Sequence, residues 1–257
     1  MFSKINRKVI IGSTALVAIG AVVSLAGATH SWGSYHWART ANPFTLKLGD
    51  NVSDSWDSYL ATTASDWSVS SVLDLLIVPG GNLKNCRPVA GRVEVCSKKY
   101  GNNGWLGLAS IWASGTHITQ GTAKVNDTYF NTAKYNTPAW RNLVMCQEVA
   151  HAFGLDHQDE DFYNTPLGTC MDYSADPTLN QHPNAHDYAM LETIYAHLDT
   201  TTTLSASAPS GKHADFDSSD PKEWGKEIHK SKDGRSSLFE RDLGGGRKVF
   251  TFVFWAK

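Results

Sequence analysis

Hydrophobic and polar positions change period several times along the chain, and each change marks an element. Tyr35 to Leu48 (YHWARTANPFTLKL) has the β-branched and aromatic content of a first strand. Pro43, near its middle, restricts that strand to an edge or a bulge. Asp50-Asn51-Val52-Ser53 is polar and turn-like. From there Trp56, Leu60, Ala64 and Trp67 recur at helical spacing, which predicts an amphipathic helix over 55–71. Val72–Val78 is a short continuous apolar run, read as a buried strand ended by Pro79-Gly80-Gly81. Residues 82–104 are loop-rich around Cys86 and Cys96. Trp105–Ala113 (WLGLASIWA) reads as a strand, and Gly121–Phe130 (GTAKVNDTYF) alternates as another that suits a sheet edge. His117 stands alone between these two. It is a candidate ligand for a second metal, but a lone loop histidine is read here as solvated.

Pro138 opens the next helix, with Trp140, Leu143, Val144 and Val149 on its apolar face. A further helix is expected over 183–198 (PNAHDYAMLETIYAHL), with Tyr188, Leu191, Ile194 and Tyr195 turned inward. Asp199 to Gly211 is Thr/Ser-rich and has little to bury, as a linker does. Beyond it, Pro221 suits a helix start, with Trp224 and Ile228 sharing a face. Leu238–Leu243, three glycines and Lys248–Trp255 then form a hairpin with Phe250, Phe252 and Phe254 on one side. Some 45 residues rarely hold a core unaided, so this tail is expected to dock on the preceding domain or on a partner. No internal repeat is visible.

Composition narrows the class. The 257 residues suffice for one sizeable core and a small module, and a net charge of −2 argues against a nucleic-acid surface. Lys4, Arg7 and Lys8 precede an apolar run from Val9 to Ala28 that ends Ala26-Gly27-Ala28. That order of basic, apolar and A-x-A segments reads as a signal peptide over residues 1–28, with an uncleaved anchor as the alternative. The expected location is therefore extracellular. In an exported chain the four cysteines suggest two disulfides, for which three pairings exist. Neither close pair has the CxxC spacing of a structural zinc site.

The most informative stretch is Cys146–Asp159, CQEVAHAFGLDHQD. Gln147 and His151 are four apart and stack on one helix face, with Glu148 at its edge. Gly154 can take a positive φ and turn the chain, so that His157 is delivered toward the same point. This stretch resembles the HExxHxxGxxH zinc signature of the metzincin metallopeptidases in every defined position but the first, where the chain has Gln147. Gly168-Thr169-Cys170-Met171-Asp172-Tyr173 is similar to the family's Met-turn.

The resemblance implies an α+β metzincin-like zincin fold over 29–198, closest to the matrixin-like group. Its parts are a twisted mixed sheet, an active-site helix, a Met-turn and a C-terminal helix. A linker (199–211) and a small α/β-hairpin extension (212–257) would follow. It implies a zinc ion held by His151 and His157, with Glu148 as general base. Met171 and Gly154 would shape the site, and Tyr173 would bind zinc or an oxyanion. It also favours Cys146–Cys170, tying the helix to the Met-turn, beside a short Cys86–Cys96 loop. In this family a strand beside the cleft offers its backbone to substrate, a role for one of the two strands near His117. Gln147 is the departure: it completes the ligand set, or Asp159, His182 or His186 replaces it, or the site has lost its metal. The Asp159-Glu160-Asp161 run is a candidate for calcium as well as an ordinary solvated loop. The expectation is a monomeric, secreted zinc endopeptidase acting on polypeptide, without nucleic-acid or membrane partners beyond the signal segment. A weak or inactive extracellular binding module on the same fold is the alternative.

Overall fold

The computed structural model describes residue 1 and residues 29–81, 86–205 and 217–256. The signal segment read from the sequence therefore lies, apart from Met1, outside the described residues. The chain is mixed α+β, organised on one nine-stranded sheet. Its strands are β1 (His36–Trp37), β2 (Phe44–Asn51), β3 (Leu73–Pro79), β4 (Arg92–Lys98), β5 (Trp105–Ser114), β6 (His117–Asn126), β7 (Lys226–Lys230), β8 (Ser236–Gly244) and β9 (Arg247–Trp255). Four α-helices accompany them: α1 (Asp57–Trp67), α2 (Asp127–Phe130), α3 (Pro138–His151) and α4 (Ala185–Ile194). The strand order is β3-β2-β4-β6-β5-β9-β8-β7, and β1 pairs with the start of β6. The β3-β2-β4-β6 part is parallel, and everything from β5 onward is antiparallel. Among the described residues no helix is long and apolar enough to cross a membrane.

Several elements differ from their sequence reading. The expected first strand is broken into β1 and β2. The break is occupied by Arg39 and Asn42, whose side chains bond the carbonyl of Tyr195 at 2.8 and 2.9 Å. They satisfy the carbonyl groups that α4 leaves open at its end. β3 is an outer strand rather than a buried one, with Leu76 and Ile77 exposed. β6 is interior rather than an edge, flanked by β4 and β5, and its last residues turn into α2. The helix expected after Pro221 is a single turn, Pro221–Glu223. Gly225 has a φ of 90° and lies against the backbone of Glu240, which stops the helix and starts β7.

α3 packs on β5, β6 and α1, and from Leu143 to His151 all of its residues are buried. Thr137 caps it by accepting from the Trp140 amide, and Pro138 occupies the first turn. Its far end is fastened by aromatic side chains. The indole N–H groups of Trp32 and Trp37 donate to the carbonyls of His151 and Ala152 at 3.0 and 2.8 Å, and the Tyr195 hydroxyl donates to Phe153. Part of the chain's tryptophan content thus serves to cap one helix. Gly154 then turns with a φ of 104°, and a Cβ there would lie 2.7 Å from the Tyr35 carbonyl. Glycine is required on both counts.

Candidate metal centre

The loop after α3 and the turn around Met171 are built as one unit. The Gln158 amide donates to the Met171 carbonyl at 2.6 Å, and Tyr173 donates to Asp159 at 3.2 Å, so His157 is held from the residues just after it. The turn is braced from within: Asn180 donates to the Asp172 carboxylate and accepts from the Gly168 amide. The disulfide Cys146–Cys170 joins α3 to this turn, and Cys86–Cys96 closes the loop before β4. No free cysteine is present among the described residues.

On that frame the rings of His151 and His157 come within 4.6 Å, nearly perpendicular. His151 Nδ1 lies 2.8 Å from the Leu155 carbonyl, so it carries the proton and leaves Nε2 with a free lone pair. That is the orientation a metal-binding imidazole takes. His157 Nδ1 is at ion-pair distance from Asp156 and Glu160, without hydrogen-bond geometry to either. The Gln147 amide donates to the Cys170 carbonyl at 3.1 Å. Among the described residues, Gln147 Oε1, Glu148 Oε2 and His157 Nε2 are buried here without hydrogen-bond partners, as is Asp172 Oδ1 in the turn. Each such orphan costs about 1–3 kcal/mol unless something absent here engages it. The donor set fits a zinc ion held through two imidazoles, with the Gln147 carbonyl oxygen as a neutral third donor.

Glu148 reaches toward β5 at Gly107. A Cβ at that position would lie 2.4 Å from Glu148 Oε1 and 2.5 Å from Val144 Cγ1, so the missing side chain makes room for the carboxylate. Burial raises the Glu148 pKa well above the usual carboxylate range, partly opposed by charge on His157. Burial and the charge of His157 hold His151 well below the usual histidine range. For His157 burial alone would lower the pKa, but Asp156 and Glu160 outweigh it and push it up to about 9. Tyr173 is buried against the His157 ring at 4.5 Å, and burial holds its hydroxyl well above the usual tyrosine range, partly opposed by Ser236 of β8.

The C-terminal hairpin closes the site. β9 pairs antiparallel with β5 along its whole length, from Trp105↔Trp255 to Ser114↔Arg247. Phe252 stacks flat on His151 at 4.1 Å, and Phe254 sits edge-on to Tyr173 at 4.6 Å. Neither strand expected to offer a free edge to substrate has one: β6 is interior and β5 is covered by β9. An open cavity remains beside His157, lined by Gln158, Glu160, His229, Leu238 and Phe252.

Of the alternative third ligands, His182 pairs with Asp66 at 2.7 Å, while His186 stacks on His30 with its Nδ1 buried and without a hydrogen bond. Asp159 and Asp161 accept from amides of their own loop, and Glu160 pairs with His157 and His229. Among the described residues the acidic run is not gathered into a metal-holding group, which leaves the calcium expectation without support. The sequence reading did not single out Gly107, Ser236 or His229. Their roles follow from sheet register, which no local spacing reveals.

No model of a known protein family matches the sequence, and no curated protein matches it. Among solved structures, the chain aligns with the high choriolytic enzyme 1, a hatching enzyme zinc-protease from the medaka fish Oryzias latipes. The identity is 11% and the TM-score 0.35, over 64% of this chain and 96% of that one.

Proposed function

We propose that the chain is a zinc-dependent endopeptidase that acts on polypeptide outside the cytoplasm. The observation that carries this reading is the trio of unpartnered buried atoms, Gln147 Oε1, Glu148 Oε2 and His157 Nε2, beside the free Nε2 of His151. His151 and His157 would hold the metal, with Gln147 Oε1 as third ligand. Bound there, zinc supplies Lewis acidity toward a scissile carbonyl and toward water. Glu148 accepts the proton of the attacking water on its carboxylate and returns it to the departing amine nitrogen. Tyr173 donates its hydroxyl to the oxyanion. Met171 and the Cys146–Cys170 bridge hold the floor of the site in register with α3. Because β9 covers β5, a substrate strand pairs with β5 only after β9 has left.

A second reading, an extracellular binding module with little or no activity, is favoured by one observation. The Gln147 side chain is committed to the Cys170 carbonyl, an anchoring role that serves the fold without a metal. Peptide hydrolysis by the purified chain, with and without a chelator and beside Glu148→Ala, separates the two. Activity lost in both comparisons is the expected result, with Glu148→Ala down at least ~100-fold. A silent chain that gains activity in Gln147→His would establish the binding module instead.

A further inference from the structure

His117 is not alone. The structure gathers His36 on β1, His117 at the start of β6 and Asp199 after α4, with ligand atoms all within 4.8 Å of one another, and sets His197 beside them. Asp199 Oδ1 lies 3.3 Å from His117 Nε2, 3.5 Å from His36 Nε2 and 3.8 Å from His197 Nε2. His36 Nε2 and His197 Nε2 are 3.1 Å apart. A tetrahedron with metal–ligand bonds of about 2.0–2.1 Å has edges of roughly 3.3–3.4 Å. These four separations scatter around that edge length, and His197 stands just outside the mutually close group of His36, His117 and Asp199. The rings of His117 and His197 both stand nearly perpendicular to His36, so their edges converge.

The surroundings orient these atoms as a metal's outer shell would. His36 Nδ1 is 2.8 Å from the Ser34 carbonyl and must donate to it, which leaves the Nε2 lone pair facing the cluster. Asp199 Oδ2 is taken by the Arg39 guanidinium at 2.9 Å and the Arg39 amide at 3.2 Å, so Oδ1 alone is turned to the histidines. His36 Nε2 and the anionic Asp199 Oδ1 therefore face each other at 3.5 Å as two acceptors, and a cation between them satisfies both.

We infer that His36, His117, His197 and Asp199 form a second, structural zinc site. Three imidazoles and one carboxylate suit zinc; calcium and magnesium prefer all-oxygen sets. With His197 drawn in as the fourth ligand the tetrahedron is filled and no position is left for water, so the site holds structure rather than performing chemistry. It fastens the segment that caps α3 and the segment leaving α4 to the β5–β6 turn. It shares no residue with the candidate active site.

The test is zinc content of the full chain after loading and gel filtration, for wild type, His117→Ala and His197→Gln. Both substituted side chains are about half exposed, at 37% and 55%, so neither change opens the core. Each variant is expected to carry one zinc fewer than wild type and to bind zinc at this site at least ~100-fold more weakly. Each should also melt below wild type in zinc and level with it in chelator. Cobalt(II) loading of the wild type gives a readout that needs no variant: a tetrahedral visible absorption, lost in His117→Ala. Variants with wild-type zinc content overturn the inference, as does a wild type whose melting ignores the chelator. If the active-site reading fails and this one holds, wild type carries one zinc and His117→Ala none. In the reverse case all three proteins carry one.

Discussion

Gly107 decides where the Glu148 carboxylate of the proposed reaction can stand. A methyl group there meets both the Glu148 carboxylate and Val144, and the backbone of a strand paired on both sides cannot retreat. Gly107→Ala should therefore displace Glu148, lowering hydrolysis at least ~10-fold and stability by about 1–3 kcal/mol. Kinetics and melting of the variant check this; unchanged turnover would show that Glu148 is not held against β5. Lys124 is a second residue with a measurable signature. It is buried on β6 beneath the tail and donates to Ser219 at 2.9 Å. Burial, partly opposed by Asp217, brings its pKa down from 10.5 to about 8. Below about 8 both folded and unfolded chains carry the charge, and the folded one bears its desolvation. Between about 8 and 10.5 the unfolded chain binds more protons, so this residue makes stability rise with pH. Lys124→Met removes that slope. Denaturant melts at pH 7.5 and 10 should show wild type gaining on the variant by about 3 kcal/mol at most. At this scale Glu148, His151 and His157 were legible because helical spacing and one glycine bring them together. The partners of His117 were not, because they arrive from both ends of the domain.

At the scale of elements, legibility followed how local the cause was. α1 and α3 announced themselves through apolar periodicity, and α3 also through Thr137 and Pro138 at its start. The run Leu73–Pro79 misled because continuous apolar sequence signals burial on both faces. In the structure β3 lies outermost beside β2, with α1 against it and Leu76 and Ile77 left in solvent. Trp224 and Ile228 share a helical face by spacing, yet pairing with β8 overrode that weak local preference. Pro43 was read as marking an edge or a bulge, but β2, which begins directly after it, is interior and in regular register with β3 and β4. What the sequence could not show was that Arg39 and Asn42 fill the gap by binding the end of α4. The Met-turn was readable as a motif, but the backbone bonds that lock it to the His157 loop come from tertiary structure alone.

Over the whole molecule, β5 is the junction on which the proposed activity turns. It backs α3 on one face, makes room for Glu148 at Gly107, and gives its outer edge to β9. Phe250, Phe252 and Phe254 alternate on β9 and are all buried, each contributing about 1.5–3 kcal/mol to docking. With every 1.4 kcal/mol worth a factor of ten, the intact chain opens rarely, and it should hydrolyse peptides slowly even with zinc bound. Cutting the exposed Gly244–Gly246 turn separates β9 from β8 without touching the site. A recognition sequence for a specific protease placed between Gly245 and Gly246 makes that cut controllable. Cleavage should raise kcat/KM at least ~10-fold. A synthetic peptide of residues 247–257 added back should restore inhibition, and the same cut in Glu148→Ala should yield nothing. An uncut chain as active as the cut one would show that β9 is an ordinary sheet strand, with substrate entering through the cavity beside His157. A cut chain that stays inactive, yet binds the 247–257 peptide, would instead mark β5 as a docking edge and return the molecule to the binding-module reading.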